Sequence, residues 1–83
     1  FLGLVIDYKD GIATIEERNY FKIGDNVQFF GSETETTNYK IEEIFDEFDN
    51  QINEANHPQM IVKLHVPFEL KKYDMMRLKV FDI

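Results

Sequence analysis

The sequence predicts an all-β fold, a small antiparallel and distorted β-barrel of six strands. Apolar and polar residues alternate with a period of two in several short runs, and Gly, Asp, Asn or Pro residues separate these runs. Helical periodicity is nowhere sustained beyond one turn, so we expect less than about 10% helix. The predicted strands are residues 2–8, 12–16, 26–30, 38–44, 60–66 and 76–80. At 83 residues, with eight Phe and four Tyr for one core, residues 1–83 form a single domain.

The first two strands form a predicted hairpin. Residues 2–8 are apolar in both phases of the alternation, as in a strand that is buried on both sides. Asp10 and Gly11 follow, and this dipeptide favours a tight antiparallel turn because both residues tolerate positive φ. Residues 12–15 resume with β-branched side chains, so we expect the first two strands to pair.

A charged corner, residues 16–25, joins the second strand to the third. We expect Gly24 to adopt positive φ and the Asp25 carboxylate to accept hydrogen bonds from nearby backbone amides. Tyr20 or Phe21 should close the end of the barrel, because an aromatic ring beside a tight turn buries a large area. The corner is therefore the predicted structural centre of the chain.

Arg18 and Asn19 lie in this corner and have two possible roles. They could contact a ligand or a docked domain. Alternatively, the guanidinium of Arg18 could bind one of the neighbouring carboxylates and hold the corner together, since planar pairs of this kind often fix loops. The candidate carboxylates are Glu16, Glu17 and Asp25.

The loop between the third and fourth strands contains the only serine of the chain, Ser32. Val27 and Phe29 should face the core, whereas Phe30 should lie on the outer face and could mark a docking surface. The fourth strand is followed by an acidic turn, residues 45–50. This turn does not have the spacing of a calcium-binding loop, because the glycine and the distal glutamate are missing.

The fifth and sixth strands follow the bend at His57-Pro58. The fifth has the clearest alternation in the chain, with Val62, Leu64 and Val66 on one face. The sixth strand follows Tyr73-Asp74, which repeats the turn of Gly24-Asp25. Its apolar positions are Met76, Leu78 and Val80.

Charge is unevenly distributed along the chain. The net charge is -7, yet residues 61–83 carry five basic and three acidic side chains. An acidic balance disfavours autonomous nucleic-acid binding, which depends on neutralising phosphates. A local basic strip remains possible, and the alternative is that these side chains are solvated and keep the sheet edges soluble. The strip would consist of Lys63, Lys71, Lys72, Arg77 and Lys79.

The sequence predicts no catalytic residue, metal or cofactor in this chain. Cysteine is absent, so disulfides and thiolate chemistry are excluded. Neither His57 nor His65 has a second ligand at metal-binding spacing, and Ser32 lacks the setting of an activated nucleophile. We expect the isolated chain to cleave neither casein nor gelatin. The absence of cysteine and of a long apolar run also predicts a cytoplasmic location without a membrane partner.

Three motifs in order resemble the C-terminal domain of peptidase family U-32, the collagenase-like peptidases of unassigned catalytic type. The first is E-E-R-N-Y-F-K-I-G-D at residues 16–25, followed by N-V-Q-F-F-G at residues 26–31. The second is Ala55-Asn56-His57-Pro58, and the third is Tyr73-Asp74-Met75-Met76-Arg77. Two positions differ from the family pattern: Gly31-Ser32 stands where the family has Gly-Pro, and Asp49-Asn50 where it has a glycine turn.

The resemblance implies a non-catalytic accessory domain that follows a catalytic domain in a larger protein, and the start at Phe1 agrees with this. It implies a role in presenting a substrate, such as a collagen-like protein, or in domain interaction. The family-motif residues are Phe21, Gly24, Asp25, His57, Pro58 and Asp74. The alternative is an RNA-positioning module, because some relatives are implicated in RNA hydroxylation and the strand order is similar to the second-domain barrel of translation elongation factors. Candidate binding residues are Arg18, Asn19, Phe30, Lys71, Lys72 and Arg77.

Overall fold

A computed structural model describes residues 1–80, and all regular structure in this range is β-strand. The strands are β1 Gly3–Lys9, β2 Ile12–Glu17, β3 Phe21–Lys22, β4 Asn26–Phe30, β5 Thr37–Lys40, β6 Ile44–Asp46, β7 Gln51–Ile52, β8 Glu54–Ala55, β9 Ile61–His65 and β10 Met75–Leu78. Eight strands form one antiparallel sheet in the order β5-β4-β10-β1-β2-β9-β6-β7, and β3 pairs separately with β8. Among the described residues there is no helix able to span a membrane.

The sheet curls into a half-barrel around one core. Four strands separate β5 from β9 in the sheet, yet the Tyr39 hydroxyl of β5 donates a hydrogen bond of 2.6 Å to the carbonyl of His65 in β9. Phe29, Tyr39 and Phe68 meet edge to face inside the curl, with ring centroids 5.8 to 6.3 Å apart. The predicted all-β, antiparallel class is therefore confirmed.

The alternation predicts the inward face of the main strands correctly. Val27 and Phe29 of β4 are fully buried, and the bounds of β4 are those predicted. The buried residues of the other main strands and their ends include Val5, Ala13, Ile15, Val62, Leu64, Val66 and Met76. Each buried Val, Ile, Leu, Phe or Met side chain contributes about 1.5 to 3 kcal/mol relative to an exposed one, so this face supplies most of the driving force for folding.

The structure also corrects two predicted strands. The strand expected at residues 38–44 is divided into β5 and β6, because the chain turns at Ile41 to bond with the corner: the Ile41 N–H donates to the Asp25 carbonyl at 3.0 Å. In the last strand the inward pattern stops after Met76. Leu78 is 46% exposed and Val80 is 71% exposed, because β1 pairs with β10 only at Met75 and Met76 and does not extend beside these later residues.

In the corner, Phe21 rather than Tyr20 closes the end of the barrel. Phe21 is fully buried, and the short strand β3 pairs it with Ala55 of β8. Tyr20 is exposed, and its hydroxyl donates a 2.7 Å hydrogen bond to Glu54, which raises the pKa of Tyr20. Strands β3, β7 and β8 were not predicted because two residues are too few to show a period of two.

Two tight turns of the same design begin β4 and β10. The N–H of Lys22 donates to Asp25 at 2.9 Å, and the N–H of Lys71 donates to Asp74 at 2.8 Å, three residues further along the chain in both cases. Partial burial raises the pKa of Asp25, but hydrogen bonds from the backbone and ammonium of Lys22 outweigh this and lower it overall. The two aspartates therefore hold equivalent turns.

An approximate twofold axis relates these turns and the strands beside them. Gly24 has φ 96° and its N–H donates to the carbonyl of Ile41 at 2.7 Å. Tyr73 has φ 75° and its N–H donates to the carbonyl of Val5 at 2.7 Å. The repeat of turn and strand noted in the sequence is thus a structural repeat.

Gly24→Val is expected to lower the free energy of unfolding by more than about 1 kcal/mol, because a β-branched residue is strained at this positive φ. A Cβ at Gly24 would meet no atom within 4 Å, so the cost is conformational. Gly24→Asn is the control, since asparagine tolerates the left-handed region and should retain most of the stability. Urea unfolding measures both, and a Gly24→Val variant as stable as the parent would contradict this role of Gly24.

Candidate interaction surface

The outer face of β5, β4 and β10 is a candidate interaction surface, called here the three-strand face. The strand register places Gln28 of β4 between Asn38 of β5 and Arg77 of β10. Gln28 and Arg77 each lie three residues after the aspartate of their turn, so the twofold axis passes between them. The side chains of the face are Asn26, Gln28, Phe30, Asn38, Lys40, Met75, Arg77 and Lys79.

The central row of this face is joined by side-chain hydrogen bonds that all run in one direction. Arg77 Nε donates to Gln28 Oε1 at 3.0 Å, and Gln28 Nε2 donates to Asn38 Oδ1 at 3.0 Å. Each side-chain oxygen of the row thus already accepts a hydrogen bond, whereas the terminal amines of Arg77 and the Nδ2 of Asn38 retain N–H groups. The row is therefore rich in donors and suits a ligand rich in acceptor oxygens.

Phe30 contributes an aromatic ring beside this row. It faces outward, as predicted, but it is half-buried because the Arg77 guanidinium lies over its ring, with Cζ 4.5 Å from the centroid. This distance is that of a cation–π interaction. Met75 lies opposite Phe30 in the neighbouring strand and is exposed. Apolar surface and a flat cation therefore occur side by side.

The charge of the three-strand face is opposite to that of the whole chain. The chain has a net charge of -7, whereas β4, β5 and β10 contain no acidic residue. The cations of the face are Lys40, Arg77 and Lys79. The acidic residue that precedes β10, Asp74, is buried. Acidic side chains flank the face at Glu42 and Glu43. The positive surface is thus local and small.

The five residues of the predicted basic strip do not form one strip. Lys63 lies on β9, the third strand beyond β10, and pairs with Asp49 at 2.9 Å. Lys71 pairs with Glu69 at 3.2 Å. Of the five, the structure brings only Arg77 and Lys79 onto the three-strand face.

Lys40 is a residue of this face that the sequence did not indicate. It lies opposite Asn26, and the backbone of Lys79 bonds Asn26 on the other side. The alternation of residues 37–40 places Lys40 outward, but the other cations of the face, Arg77 and Lys79, come from a segment almost 40 residues away, which no local pattern identifies.

Arg18 and Asn19 hold the first residue of the chain to the corner. Arg18 pairs with Glu16 at 2.8 Å, and its guanidinium lies 6.0 Å from the centroid of the Phe1 ring. The side-chain amide of Asn19 donates to the Phe1 carbonyl at 2.6 Å. This geometry favours the structural interpretation of both residues.

Residues 1–80 contain no group of three or more His, Cys, Asp or Glu side chains that could hold a metal ion. His57 and Pro58 are exposed in their bend, and the carbonyl of His57 accepts a 3.1 Å hydrogen bond from the N–H of Met60. His65 stacks on Phe45 with ring centroids 5.4 Å apart. Neither histidine belongs to a group of potential metal ligands within residues 1–80.

The acidic turn is held by its own backbone. Asp46 Oδ1 accepts hydrogen bonds of 2.9 Å from the N–H of Asn50 and from the N–H of Phe48. These bonds, that of Asn50 first, lower the pKa of Asp46. The carboxylate of Asp46 thus serves as a turn-forming group.

Fold and surface together define a small antiparallel half-barrel domain with a polar, locally basic outer face. This chain belongs to the family of peptidase U32 C-terminal domains, because the family model described as "Peptidase family U32 C-terminal domain" matches residues 1–77.

Solved structures agree with this membership. The crystal structure of the C-terminal domain of a Geobacillus thermoleovorans "putative U32 peptidase" is 47% identical, covers 95% of this chain and 91% of its own, and has a TM-score of 0.92. Its selenomethionine variant is 48% identical, covers 93% of this chain and 96% of its own, and has a TM-score of 0.90. The likeness therefore extends over almost the whole domain.

A longer relative comes from Bacillus subtilis (strain 168) and is named tRNA hydroxylation protein P1. It is 42% identical over 79 residues, which is 93% of this chain and 19% of that relative. The chain thus spans about a fifth of the length of this relative.

Proposed function

We propose that this domain is a non-catalytic accessory module that positions an RNA substrate, of the tRNA class, for another part of a larger protein. The observation that carries this proposal is the 42% identity to tRNA hydroxylation protein P1. The donor-rich row of Asn38, Gln28 and Arg77 supports it, because phosphate and base oxygens are acceptors.

The small number of cations defines what kind of binding is expected. Lys40, Arg77 and Lys79 could neutralise roughly three phosphates, which gives a slope of about -2 in log affinity against log salt for a single strand. This is a weak contribution, and the net charge of -7 opposes it further. The domain would therefore orient an RNA that other parts of the parent protein also hold.

Replacing the three cations of the face by alanine is expected to weaken binding of an unmodified tRNA transcript at low salt by roughly tenfold and to flatten its salt dependence. The variant combines Lys40→Ala, Arg77→Ala and Lys79→Ala. Fluorescence anisotropy at several salt concentrations measures the effect, and thermal melting should change little because exposed charges contribute little to folding.

The matched control removes three cations from elsewhere on the domain. It combines Lys9→Ala, Lys22→Ala and Lys63→Ala and has the same net charge as the face variant. We expect the control to bind the transcript nearly as well as the parent. Equal losses in both variants would show that only overall charge matters and would contradict the assigned face.

Presentation of a peptide substrate is the second candidate function. It is favoured by β5, which within residues 1–80 is an edge strand paired with β4 alone, because an extended peptide can add to a free sheet edge. Such a peptide is held by backbone hydrogen bonds. Binding of an extended peptide with little salt dependence, together with no binding of RNA, would support this candidate instead.

A further inference from the structure

Tyr73 occupies a backbone conformation that favours glycine. Its φ is 75°, in the left-handed region, where a residue with a Cβ is disfavoured. The twofold-related position in the other turn is Gly24, with φ 96°. The two turns make equivalent backbone hydrogen bonds, so the turn itself requires no tyrosine.

The Tyr73 side chain also contributes little to the core. It is 64% exposed and does not belong to the buried cluster. Within residues 1–80 its hydroxyl makes no hydrogen bond, in contrast to Tyr20, Tyr8 and Tyr39. An exposed aromatic ring in a strained position, without a packing role, makes Tyr73 a candidate for contact with another molecule.

The surroundings of Tyr73 identify the chemistry of that contact. The ammonium of Lys72 lies over one face of the Tyr73 ring, 5.3 Å from its centroid, so the opposite face is the one available to a stacked base. Met75, two residues further along the chain, is also exposed and lies between Leu4 and Phe30 in the sheet. An aromatic ring beside a cation is the usual pair of contacts for an unpaired nucleotide, whose base stacks and whose phosphate is negative.

We propose that Tyr73 and Lys72 bind one unpaired nucleotide of the RNA, with the base stacked on the Tyr73 ring and its phosphate held by the Lys72 ammonium. This inference rests on the proposed function and deepens it. It assigns the turn to single-stranded RNA, because a base within a duplex has no free face for stacking. The three-strand face then holds the adjoining backbone.

Tyr73→Gly separates this role from a structural one. The variant should bind an unstructured RNA oligonucleotide roughly fivefold or more weakly at low salt, since stacking of one base is worth about that factor or more. Its melting temperature should stay the same or rise, because glycine suits φ 75°. Tyr73→Phe is the control and should bind like the parent, since stacking does not need the hydroxyl. Ring resonances of Tyr73 should shift on titration with the single strand and not with a duplex of equal length.

The other possible results distinguish a failure of the stacking site from a failure of the proposed function. If the parent and Tyr73→Gly bind the oligonucleotide equally while the three-cation face variant binds weakly, the stacking site is wrong and the proposed function stands. A melting temperature of Tyr73→Gly several degrees below the parent would assign Tyr73 a structural role and overturn the inference. No RNA binding by the parent at low salt would overturn the proposed function together with the site.

Discussion

Phe29→Ala is expected to lower the free energy of unfolding by about 3 to 5 kcal/mol, the largest effect of any single substitution predicted for this domain. Phe29 is fully buried and lies on β4, between β5 and β10. Its ring meets those of Tyr39 and Phe68 edge to face, at 5.8 and 6.1 Å between centroids. Removing it leaves a cavity where the curl of the sheet closes, and a domain of this size has only about 5 to 15 kcal/mol in total.

Phe48→Ala is the matched control for this loss. Phe48 is the same residue type but is 76% exposed at the acidic turn. Its replacement should change the free energy of unfolding by no more than about 0.5 kcal/mol. Urea unfolding followed by tyrosine fluorescence measures both variants, and equal midpoints would show that the aromatic cluster around Phe29 is not the anchor of the core.

Gly31→Ala should have the second largest effect, a loss of about 2 to 4 kcal/mol. A Cβ at Gly31 would lie 2.8 Å from Cγ of Asp74 and closer still to Oδ1. The carboxylate cannot turn away freely, because Oδ2 accepts hydrogen bonds from the N–H of Lys71 at 2.8 Å and from the Thr34 hydroxyl at 2.6 Å. The variant must either break these bonds or move the loop.

Two further variants isolate the clash. Gly11→Ala is the control for conformational cost, since Gly11 has φ 79° and a Cβ there meets no atom within 4 Å. It should lose only about 1 kcal/mol. Combining Gly31→Ala with Asp74→Ala should cost less than the sum of the two single changes, because the second removes the atoms that the first strikes. Strict additivity would mean that Gly31 and Asp74 do not interact.

The sequence predicted those parts of the fold that local patterns specify. The alternation of β4 and β9 placed Phe29 and Leu64 in the core, and the dipeptide Gly24-Asp25 predicted a turn with positive φ. These features depend on neighbouring residues only. The close approach of Gly31 to Asp74 depends on residues more than 40 positions apart, and no local pattern could have shown it.

The candidate site was predicted less well, because strand order decides which side chains share a face. Arg77 and Phe30 were predicted and lie together, since β10 pairs with β4. Lys63 belongs to the predicted basic strip with Arg77 because the two are near in sequence, but its strand β9 pairs with β2 and β6 instead. Lys40 was missed for the opposite reason, because it is distant from Arg77 in sequence and near it in the sheet. Neither pairing can be read from hydrophobic periodicity.

The position of β10 has a consequence for how the domain is made. It is the last strand along the described chain, yet it lies between β4 and β1 and joins the pair β5–β4 to the rest of the sheet. Synthesis proceeds from the N-terminus, and pairing Gly3 with Met76 closes a loop of about 70 residues, so this step is slow and comes late. A nascent chain still lacking residues 75–78 leaves the inner edges of β1 and β4 open on the ribosome. The domain is therefore expected to complete its fold only after translation has passed this strand.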